Sequence, residues 1–451
     1  MQVSQAMSID EPNYLVIGAG VSGLSVAKFL AAHNKNFRLM DSRDLPPNAS
    51  EIKTLLPKDR ICFGAFDQHW MQEADEIILS PGVALQTPEL QQVIAKGVKV
   101  YGDVELFAQM ATKPYIAITG SNGKSTVTML VASILNSQGL NAKAGANIGE
   151  PALNLLNDES VDIYVLELSS FQLETCSSLR PQVAVVLNVS DDHLDRHQSL
   201  EEYAKIKASI YNNAKSKITY RQCQHLSPLN DAISFGENEP EINHYGVKDD
   251  GQDRWLMHGE EKLIQVSQLP LLGVTGELNV LAALALTEPY INDKEKALQA
   301  IADFKGLPHR CELVAEHQDV RWIDDSKGTN IGATASAISG LDGSVILFLG
   351  GVHKGGELES LKKAAAERVK LVIAFGQDKE IFTQGLNDIC KIIEVDSLNE
   401  AVKLAHANAL AGDTVLFSPA CASFDMYSNY IERGLAFQKA VKSYALEAED
   451  G

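Results

Sequence analysis

The stretch Tyr115-Ile-Ala-Ile-Thr-Gly-Ser-Asn-Gly-Lys-Ser-Thr-Val-Thr128 decides how the chain around it folds. Its apolar start, Tyr115 to Ile118, predicts a β-strand, and the pattern from Thr126 to Gln138 predicts a helix. The glycines at 120 and 123 let the loop between them turn its N–H groups toward phosphate oxygens, and the helix N-terminus adds partial positive charge. Lys124 can then reach the terminal phosphates of a nucleotide, and the Ser125 hydroxyl can ligate Mg²⁺.

The spacing Gly-x-x-Gly-Lys-Ser is a shortened form of the phosphate loop, because Ile118 stands where the longer loop has its first glycine. An ordinary glycine-rich turn between strand and helix is the alternative interpretation. It leaves Lys-Ser-Thr at the helix start without a packing reason, so we favour a nucleotide-binding loop.

Length and charge narrow the class of protein. A chain of 451 residues is too long for one core and predicts about three domains. The net charge of −20, from 39 basic and 59 acidic residues, argues against a nucleic-acid or anionic-membrane partner. The six cysteines are scattered without a Cys-x-x-Cys pair, which indicates a reducing compartment and no zinc cage. The sequence also has no obvious apolar stripe that would indicate a subunit interface, so we expect a monomer.

The apolar segment from Leu15 to Ala32 could be mistaken for a signal peptide or membrane span. It contains three glycines, two serines and Lys28, and Asp10 and Glu11 precede it where a signal peptide has positive charge. We therefore expect a cytoplasmic protein.

The N-terminal part has a dinucleotide-type pattern. A strand runs into Gly18-x-Gly20-x-x-Gly23, which opens a helix, and the next strand, Phe37 to Met40, ends at Asp41. In this context a bound nucleotide or other phosphate ligand is expected, and Asp41 either holds a ribose or only ends a strand. A further strand, Glu76 to Leu79, stops at Ser80-Pro-Gly82, and that loop should face the same crevice.

The central part continues with strands after the phosphate loop. A strand from Val161 to Leu166 ends at Glu167, a plausible Mg²⁺ ligand beside a phosphate loop. Another, Val183 to Leu187, leads to His193, which with His197 could form a zinc pair, although no glutamate-rich or cysteine context supports one. Residues 215–270 predict an antiparallel patch, and a helix is expected from Asn279.

The C-terminal part predicts a third α/β unit with strands near 321–323, 345–349, 371–375 and 414–417. Three loops follow strands, at 324–330, 350–356 and 418–425, and the last is expected to end at a helix start. Lys327 and Lys354 lie in these loops on the expected ligand side, although ordinary surface lysines are the alternative.

Six segments in this order resemble the Mur ligases of peptidoglycan precursor synthesis, and the resemblance covers essentially the whole chain. These segments are Ile118–Thr126, Leu166–Leu173, Asp192-His-Leu-Asp195, Leu307-Pro-His-Arg310, Asp325–Asn330 and Ser418–Ser423. The resemblance implies an α/β protein of three domains: an N-terminal Rossmann-like UDP-substrate domain (1–109), a central P-loop-type ATPase domain (110–307) and a C-terminal Rossmann-like amino-acid-binding domain (308–451).

Within that family the motifs are most similar to the branch that adds D-glutamate to UDP-N-acetylmuramoyl-L-alanine. The implied reaction is an ATP-dependent ligation through an acyl phosphate, releasing ADP and phosphate. It would serve cytoplasmic cell-wall synthesis, and through it cell shape, the cell cycle and cell division. Bringing an anionic carboxylate to a phosphoryl group requires positive charge and alignment from the protein.

The resemblance also implies the residues that act. Lys124, Glu167, His193 and Lys207 would be catalytic, with two Mg²⁺ ions held by Ser125, Glu167, His193 and a carbamate on Lys207, the lysine of a Tyr203-x-x-x-Lys207 pattern. Carbamylation turns a cationic amine into an anionic oxygen ligand that a hard cation prefers. Lys205 is the alternative lysine of that helix, expected on its solvated face.

The implied binding residues fall into three sets. The ATP set is Gly120, Ser121, Asn122, Gly123, Lys124, Ser125, Thr126, Asn279, Arg310 and Asp325. The UDP-substrate set is Val21, Ser22, Asp41, Ser42, Ser80 and Gly82, with Asn147 and His193 near the reacting centre. The D-glutamate set is Lys327, Thr329, Lys354, Ser423, Phe424 and Tyr430.

One departure from the family pattern concerns the adenine contact. Relatives have His-Asn three to four residues before the asparagine at 279, whereas this chain has Thr275 and Gly276. Part of the adenine contact is therefore expected to differ.

Three other functions are alternatives for parts of this pattern. An NAD-dependent dehydrogenase would leave the phosphate loop unused, and a nucleotide-switch protein would leave the Lys327 loop unused. A sibling ligase, of the folylpolyglutamate or diaminopimelate-adding type, is nearer. The latter would have Asp-Asn-Pro-Arg in its acceptor loop, where this chain has Asp325-Ser-Lys-Gly-Thr329.

Overall fold

The computed structural model describes residues 12–190, 192 and 196–449, with side chains as far as Ser443. Packing divides the described chain into two compact units. The first contains the described residues up to Thr119, Gly139–Val186 and Lys205–Lys217. The second contains Gly120–Gln138, the described residues between 187 and 204, and the chain from Ile218 onward.

The elements follow one another mostly as alternating strands and helices. The strands are β1 (Tyr14–Ile17), β2 (Phe37–Asp41), β3 (Ile61–Phe63), β4 (Glu76–Leu79), β5 (Lys99–Gly102), β6 (Tyr115–Thr119), β7 (Ala142–Ala146), β8 (Ile163–Glu167), β9 (Val183–Val186), β10 (Ser216–Tyr220), β11 (Ile233–Phe235), β12 (Tyr245–Asp249), β13 (Arg254–His258), β14 (Glu261–Gln265), β15 (Glu312–His317), β16 (Val320–Asp324), β17 (Val345–Gly350), β18 (Val369–Phe375), β19 (Lys391–Glu394) and β20 (Thr414–Phe417). The α-helices are α1 (Val21–Ala32), α2 (Ala49–Leu55), α3 (Gln68–Glu73), α4 (Pro88–Ala95), α5 (Asp103–Met110), α6 (Lys124–Ser137), α7 (Ala152–Leu155), α8 (Ser170–Leu173), α9 (Leu200–Ala208), α10 (Gly273–Thr287), α11 (Lys294–Ala302), α12 (Ile331–Ser339), α13 (Glu359–Arg368), α14 (Lys379–Leu386), α15 (Leu398–Asn408) and α16 (Tyr430–Glu449). Short 3₁₀ turns lie at Lys58–Arg60, Ser209–Tyr211, Val266–Gln268 and Glu288–Tyr290.

The first unit contains two sets of parallel strands. One is a five-stranded sheet in the order β3-β2-β1-β4-β5, and the other has β9-β6-β8-β7 as neighbours. The order of the first sheet reverses between β1 and β4, so the residues that follow these two strands share one crevice, the usual ligand position in such a sheet.

The second unit begins with α6 and ends with a complete C-terminal sheet. Within it β10 pairs in parallel with β11, and β12, β13 and β14 form the antiparallel sheet predicted for residues 215–270. The C-terminal sheet has the order β15-β16-β20-β17-β18-β19, parallel except for the pair β15–β16. Neighbouring residues of β17 point to opposite faces, so Leu347 and Phe348 belong to separate cores on the two sides of the sheet.

The predicted fold class is confirmed, since three α/β sheets follow one another along the chain. The domain boundaries at 109 and 307 stay predictions. Several local expectations were wrong: α6 begins at Lys124 rather than at Thr126, α10 begins at Gly273 rather than at Asn279, and α16 begins at Tyr430 rather than directly after Asp425. The strands β3, β5, β7, β15 and β19 were missed. All five missed strands lie at sheet edges, and β15 and β19 have no fully buried residue, so the apolar pattern of these two is weak. Among the described residues no helix is long and apolar enough to cross a membrane.

Candidate active site

The phosphate loop occupies the four residues between the end of β6 at Thr119 and the start of α6 at Lys124. Gly123 has a φ of +83°, and a Cβ added there would lie 2.6 Å from the Oδ1 atom of Asn279. A side chain at 123 would therefore clash and strain the backbone. The same contact places Asn279, a predicted ATP residue, against the loop.

The loop is fixed by hydrogen bonds from residues 188–190. The backbone N–H of Asn122 donates to the Asn188 side chain (2.8 Å), and Asn188 returns a bond to the Asn122 carbonyl (3.0 Å). The N–H of Ser190 donates to Ser121 Oγ (3.0 Å). Sequence reasoning missed Asn188 and Ser190, although both lie in the segment after β9 that leads to the predicted metal ligand.

Lys124 lies over its own loop. Its Nζ atom donates to the carbonyl oxygens of Gly120 (2.7 Å) and Ser121 (2.8 Å), while Ser125 and Thr126 are buried in the first turn of α6. A cationic amine at a helix N-terminus is where a polyphosphate would bind, so the prediction for Lys124 agrees with its location.

Two residues from the C-terminal part of the chain contact this loop. Arg310 donates from Nη2 to Ser125 Oγ across 2.6 Å. Asn330 caps α12 and donates from Nδ2 to Asn122 Oδ1 (3.4 Å) and Asp192 Oδ2 (3.3 Å). Arg310 was predicted as an ATP residue. Asn330 was missed, because its only sequence signal was its place in the loop that follows a predicted strand.

A buried hydrogen-bonded cluster holds the turn that carries Arg310. His309 Nδ1 lies 2.7 Å from Asp324 Oδ2, and its backbone N–H donates to Glu312 (2.9 Å). The Gln438 amide donates to both of these carboxylates at 3.0 Å. His309 has a φ of +62° and Cys311 one of +47°, so the turn adopts a conformation that these packed contacts must stabilise. His309, Glu312 and Asp324 each offer one possible metal-ligand atom, and these atoms lie within 4.8 Å of one another. Hydrogen bonds within the cluster already satisfy these side chains.

Asp325 lies directly behind this turn and is buried. Its Oδ1 atom accepts from the Cys311 N–H (3.2 Å) and its Oδ2 from the Ser418 hydroxyl (2.6 Å). Burial raises the pKa of this carboxyl to about 7, against the opposing effect of the two hydrogen bonds and of Arg310. The predicted contact of Asp325 with the nucleotide stays a prediction.

In the first unit, Glu167 is the last residue of β8 and pairs with Ile118 of β6. The Asn147 amide donates to its Oε1 atom (2.6 Å), whereas Oε2 is buried without a hydrogen-bond partner among the described residues. A buried carboxylate oxygen without a hydrogen bond lowers the stability of the fold unless a cation or a hydrogen-bond donor binds it. The donor set therefore fits a hard divalent cation, as predicted for Glu167.

Lys207 of α9 is 1% exposed, and its Nζ atom lies 3.5 Å from Thr119 Oγ1. Lys205 of the same helix is exposed. Burial separates the two lysines as the resemblance implied, and Lys207 is the one held beside the end of β6. The predicted metal ligand His193 lies outside the described residues.

The N-terminal crevice brings most of the predicted UDP-substrate residues to neighbouring strand ends. Gly18 has a φ of +101°, and a Cβ there would lie 2.6 Å from Ser80 Oγ, so the turn after β1 packs on the loop after β4. Around this contact, Val21, Ser42 and Gly82 are exposed and Ser22 is half-buried. The Ser22 hydroxyl hydrogen-bonds Asp103, whose pKa burial raises to about 6 despite that bond.

Asp41 forms hydrogen bonds with neighbouring residues of the protein in this crevice. Its carboxylate accepts from the Ala19 N–H (2.7 Å) and from Arg43 through Nε and Nη2 (2.9 and 2.7 Å). Burial alone would raise its pKa, but these bonds lower it to about 2. Asp41 thus orders the glycine-rich turn, and its contact with substrate stays a prediction.

The three predicted C-terminal loops meet at adjoining strand ends, because they follow β16, β17 and β20, which are neighbours in the sheet. Ala422 and Val352 exchange two backbone hydrogen bonds of 2.9 Å, and Ala420 donates to the Gly328 carbonyl (2.9 Å). These bonds join the 418–425 loop to both of the other loops.

The side chains predicted to bind D-glutamate lie on these loops. Lys327 Nζ stands 4.5 Å from the centre of the Tyr430 ring, and Lys354 Nζ donates to Thr329 Oγ1 (3.2 Å). Ser423 is buried, while Phe424 is 73% exposed. Two ammonium groups are thus presented by loops that contact one another.

Of the two positions that depart from the family pattern, Thr275 packs against α12 and Gly276 against Leu271. Thr275 Oγ1 lies 2.6 Å from Ser336 Oγ, and a Cβ at Gly276 would lie 2.6 Å from the Leu271 carbonyl oxygen. The departure thus gives α10 a close contact with the C-terminal part of the chain.

Comparison with known families gives three successive matches. Residues 12–102 match the N-terminal domain of MurD-like Mur ligases, residues 118–287 the Mur ligase middle domain, and residues 309–421 the Mur ligase glutamate ligase domain.

Two curated relatives match over nearly the full length. The UDP-N-acetylmuramoylalanine–D-glutamate ligase of Nitrosococcus oceani is 42% identical over 434 residues, covering 95% of this chain and 96% of that protein. The enzyme of the same name from Hydrogenovibrio crunogenus is 43% identical over 441 residues, covering 96% and 98%.

Solved structures share the fold at low identity. The UDP-N-acetylmuramate–alanine ligase of Thermotoga maritima aligns with a TM-score of 0.59 at 17% identity, over 96% of this chain and 100% of that one. A type C pseudomurein peptide ligase from Methanothermus fervidus aligns with a TM-score of 0.60 at 18% identity, over 96% and 100%.

Proposed function

Because the chain belongs to the Mur ligase family, we propose that it joins D-glutamate to UDP-N-acetylmuramoyl-L-alanine and converts ATP to ADP and phosphate. The full-length similarity to ligases of that name supports the substrate pair. The structural observation that supports it most is the meeting of Lys327, Thr329 and Lys354, on two loops, with Tyr430 at the start of α16. D-Glutamate brings two carboxylates, and ammonium groups there would bind them.

The first step of the proposed reaction activates the alanyl carboxylate. One of its oxygens attacks the γ-phosphorus, a P–O bond forms, and the bond to the β–γ bridging oxygen breaks as ADP leaves. Lys124 and the loop N–H groups would stabilise the charge that develops on the phosphoryl oxygens. Arg310 and Asn279, both beside the loop, would hold the nucleotide in line.

The second step forms the amide. The D-glutamate nitrogen attacks the acyl-phosphate carbonyl carbon, a C–N bond forms, the C–O bond to phosphate breaks, and the amine loses a proton. Lys327 and Lys354 would orient the amino acid through its carboxylates. Alignment of the two reactants lowers the entropic part of the barrier.

Members of this family use ATP and Mg²⁺, and we extend this to two ions with ligands at Ser125, Glu167, His193 and a carbamate on Lys207. The unsatisfied Oε2 atom of Glu167 and the buried amine of Lys207 support the assignment. Bound Mg²⁺ would neutralise phosphate charge and hold the substrate carboxylate against it.

We also propose a location and an assembly state on the basis of composition. The net charge of −20 and six free cysteines support a cytoplasmic protein without a nucleic-acid or membrane partner, and a monomer.

The test is phosphate release from ATP with Mg²⁺ and UDP-N-acetylmuramoyl-L-alanine, comparing D-glutamate with L-glutamate, L-lysine and meso-diaminopimelate. Release with D-glutamate alone, together with a UDP-linked dipeptide product, is the expected result. Release with a different amino acid would retain the chemistry and overturn the assignment of Lys327 and Ser423. No release with any acceptor would overturn the proposed reaction.

A further inference from the structure

Arg433 is a buried arginine in the first turns of α16, only 1% exposed. A guanidinium out of water is costly unless its surroundings compensate it. Burial lowers its pKa to about 10, with Asp425 and Asp324 among the groups that favour the charged form. Packing alone therefore does not explain why a charged guanidinium is buried at this position.

The contacts of Arg433 centre on Ser326, the residue before Lys327. Its Nε atom donates to Ser326 Oγ (3.1 Å) and its Nη2 to the Ser326 carbonyl (2.8 Å), while the guanidinium carbon lies 6.0 Å from the centre of the Phe417 ring. This two-point contact fixes both the side chain and the backbone of Ser326.

Ser326 also connects Arg433 to Tyr430. Its hydroxyl donates to the Tyr430 carbonyl (2.8 Å), and its N–H donates to Asp324 (2.9 Å). Lys327 follows Ser326 directly and lies over the ring of that same tyrosine. The backbone of the lysine and the aromatic ring beneath its amine are thus anchored through one serine.

The glycine-rich loop after β17 lies against the other side of the guanidinium. A Cβ at Gly351 would lie 3.2 Å from Arg433 Nη1 and 2.2 Å from the Ala422 carbonyl oxygen, and Gly351 has a φ of +129°. Nη1 has no hydrogen-bond partner among the described residues. The loops after β16 and β17 therefore contact this one side chain, and Asp425 of the loop after β20 is among the groups that favour its charge.

We propose that Arg433 is a positioning residue for the acceptor amino acid, which holds Lys327 and Tyr430 through Ser326 in the arrangement that binds a carboxylate. This inference rests on the proposed function, because Lys327 and Tyr430 are assigned there to the D-glutamate site. Arg433 itself does not touch the substrate. A lysine in its place would keep the charge but could not donate at two fixed points to Ser326.

The test uses Ser326→Ala and Arg433→Lys in the full-length enzyme, with steady-state rates measured while each of the three substrates is varied. Ser326→Ala removes the hydroxyl that joins Arg433 to Tyr430 and leaves the arginine in place. We expect KM for D-glutamate to rise about tenfold in both variants, with KM for ATP and for the UDP substrate within about twofold of wild type. Arg221→Lys is the matched control, since Arg221 is a partly buried arginine that donates to Ser234 and Tyr245.

If Arg433 and Ser326 only stabilised the fold, the two substitutions would change melting temperature and KM in a different way. If both variants only lose melting temperature, as Arg221→Lys should, and keep wild-type KM for D-glutamate, the positioning role is wrong. An equal rise in all three KM values would also overturn it. Wild-type enzyme without D-glutamate-dependent phosphate release would instead overturn the proposed function, so the two failures are distinguishable.

Discussion

Arg310 donates a hydrogen bond of 2.6 Å to the hydroxyl of Ser125, although 185 residues separate them. The bond joins the start of the C-terminal sheet region to the first turn of the phosphate-loop helix. The left-handed backbone at His309 and the buried cluster around it hold the arginine in that position. The turn at residues 309–311 and the first turn of α6 are thus connected through one side chain.

Replacement of Arg310 by alanine is expected to lower kcat/KM for ATP by about 10²-fold, because a charge directed at the phosphate loop is lost. Initial rates of phosphate release over a range of ATP concentrations measure this. Arg321→Ala is the control, since that guanidinium only approaches the Asp342 carbonyl at 3.4 Å. An Arg310→Ala enzyme indistinguishable from the control would refute the role.

Lys124→Ala should lower kcat by at least ~10³-fold, since the lost positive charge acts on the transition state. Single-turnover phosphate release separates this effect from weaker binding. Lys143→Ala, which removes a partly exposed amine paired with Asp158, should leave kcat near wild type. A loss below tenfold for Lys124→Ala would remove the lysine from the phosphoryl-transfer step.

Lys207→Ala is expected to be nearly inactive and to regain part of its activity with formate, acetate or propionate, which can replace a carbamate oxygen. Lys205→Ala, on the exposed side of α9, should show no dependence on added carboxylate. Intact-mass measurement of the wild type should find the carbamate. An unmodified lysine together with a lack of rescue would disprove the carbamylation.

Asp325 should make stability fall as pH rises. Its pKa is about 7 in the folded protein and ordinarily 3.8, so its contribution is fully present below about pH 4 and is lost as pH rises through 7. The free energy of unfolding of wild type minus that of Asp325→Asn is therefore expected to decrease across this window, as measured by urea denaturation. The exposed carboxylate of Asp342 provides the control, and a difference that is flat or increases with pH would contradict the assignment.

Gly273 and Gly340 form a close contact between α10 and the end of α12. A Cβ at Gly273, where φ is +69°, would lie 2.2 Å from Gly340 Cα, whereas a Cβ at Gly340 would lie 3.2 Å from Gly273 Cα. Gly273→Ala should cost at least ~1 kcal/mol of stability, because both the space and the backbone are unsuitable. Gly340→Ala should cost clearly less, and thermal melting of both variants compares them; equal losses would mean that the contact is not the cause.

The phosphate loop could be predicted from the sequence because its geometry depends on residues that are neighbours in the chain. Gly120, Gly123, Lys124 and Ser125 form a strand–loop–helix unit whose geometry is set by short-range backbone rules, and the structure has that unit. The strand-end positions of Glu167 and of the Lys327 loop were also predictable, since apolar runs mark the buried strands. Edge strands such as β15 were missed because solvent on one side removes that pattern.

Tertiary structure alone decided which distant residues act together. No spacing rule relates Arg310 to Ser125, Asn330 to Asn122, or Arg433 to Ser326. These pairs form because tertiary packing brings loops and helix ends from distant parts of the chain together. Burial likewise separated Lys207 from Lys205, since a helix turns neighbouring positions of one short sequence to different environments. The sequence by itself determined the fold class and the phosphate loop through local backbone and burial preferences, whereas the partners of each site residue depended on packing between segments far apart in the chain.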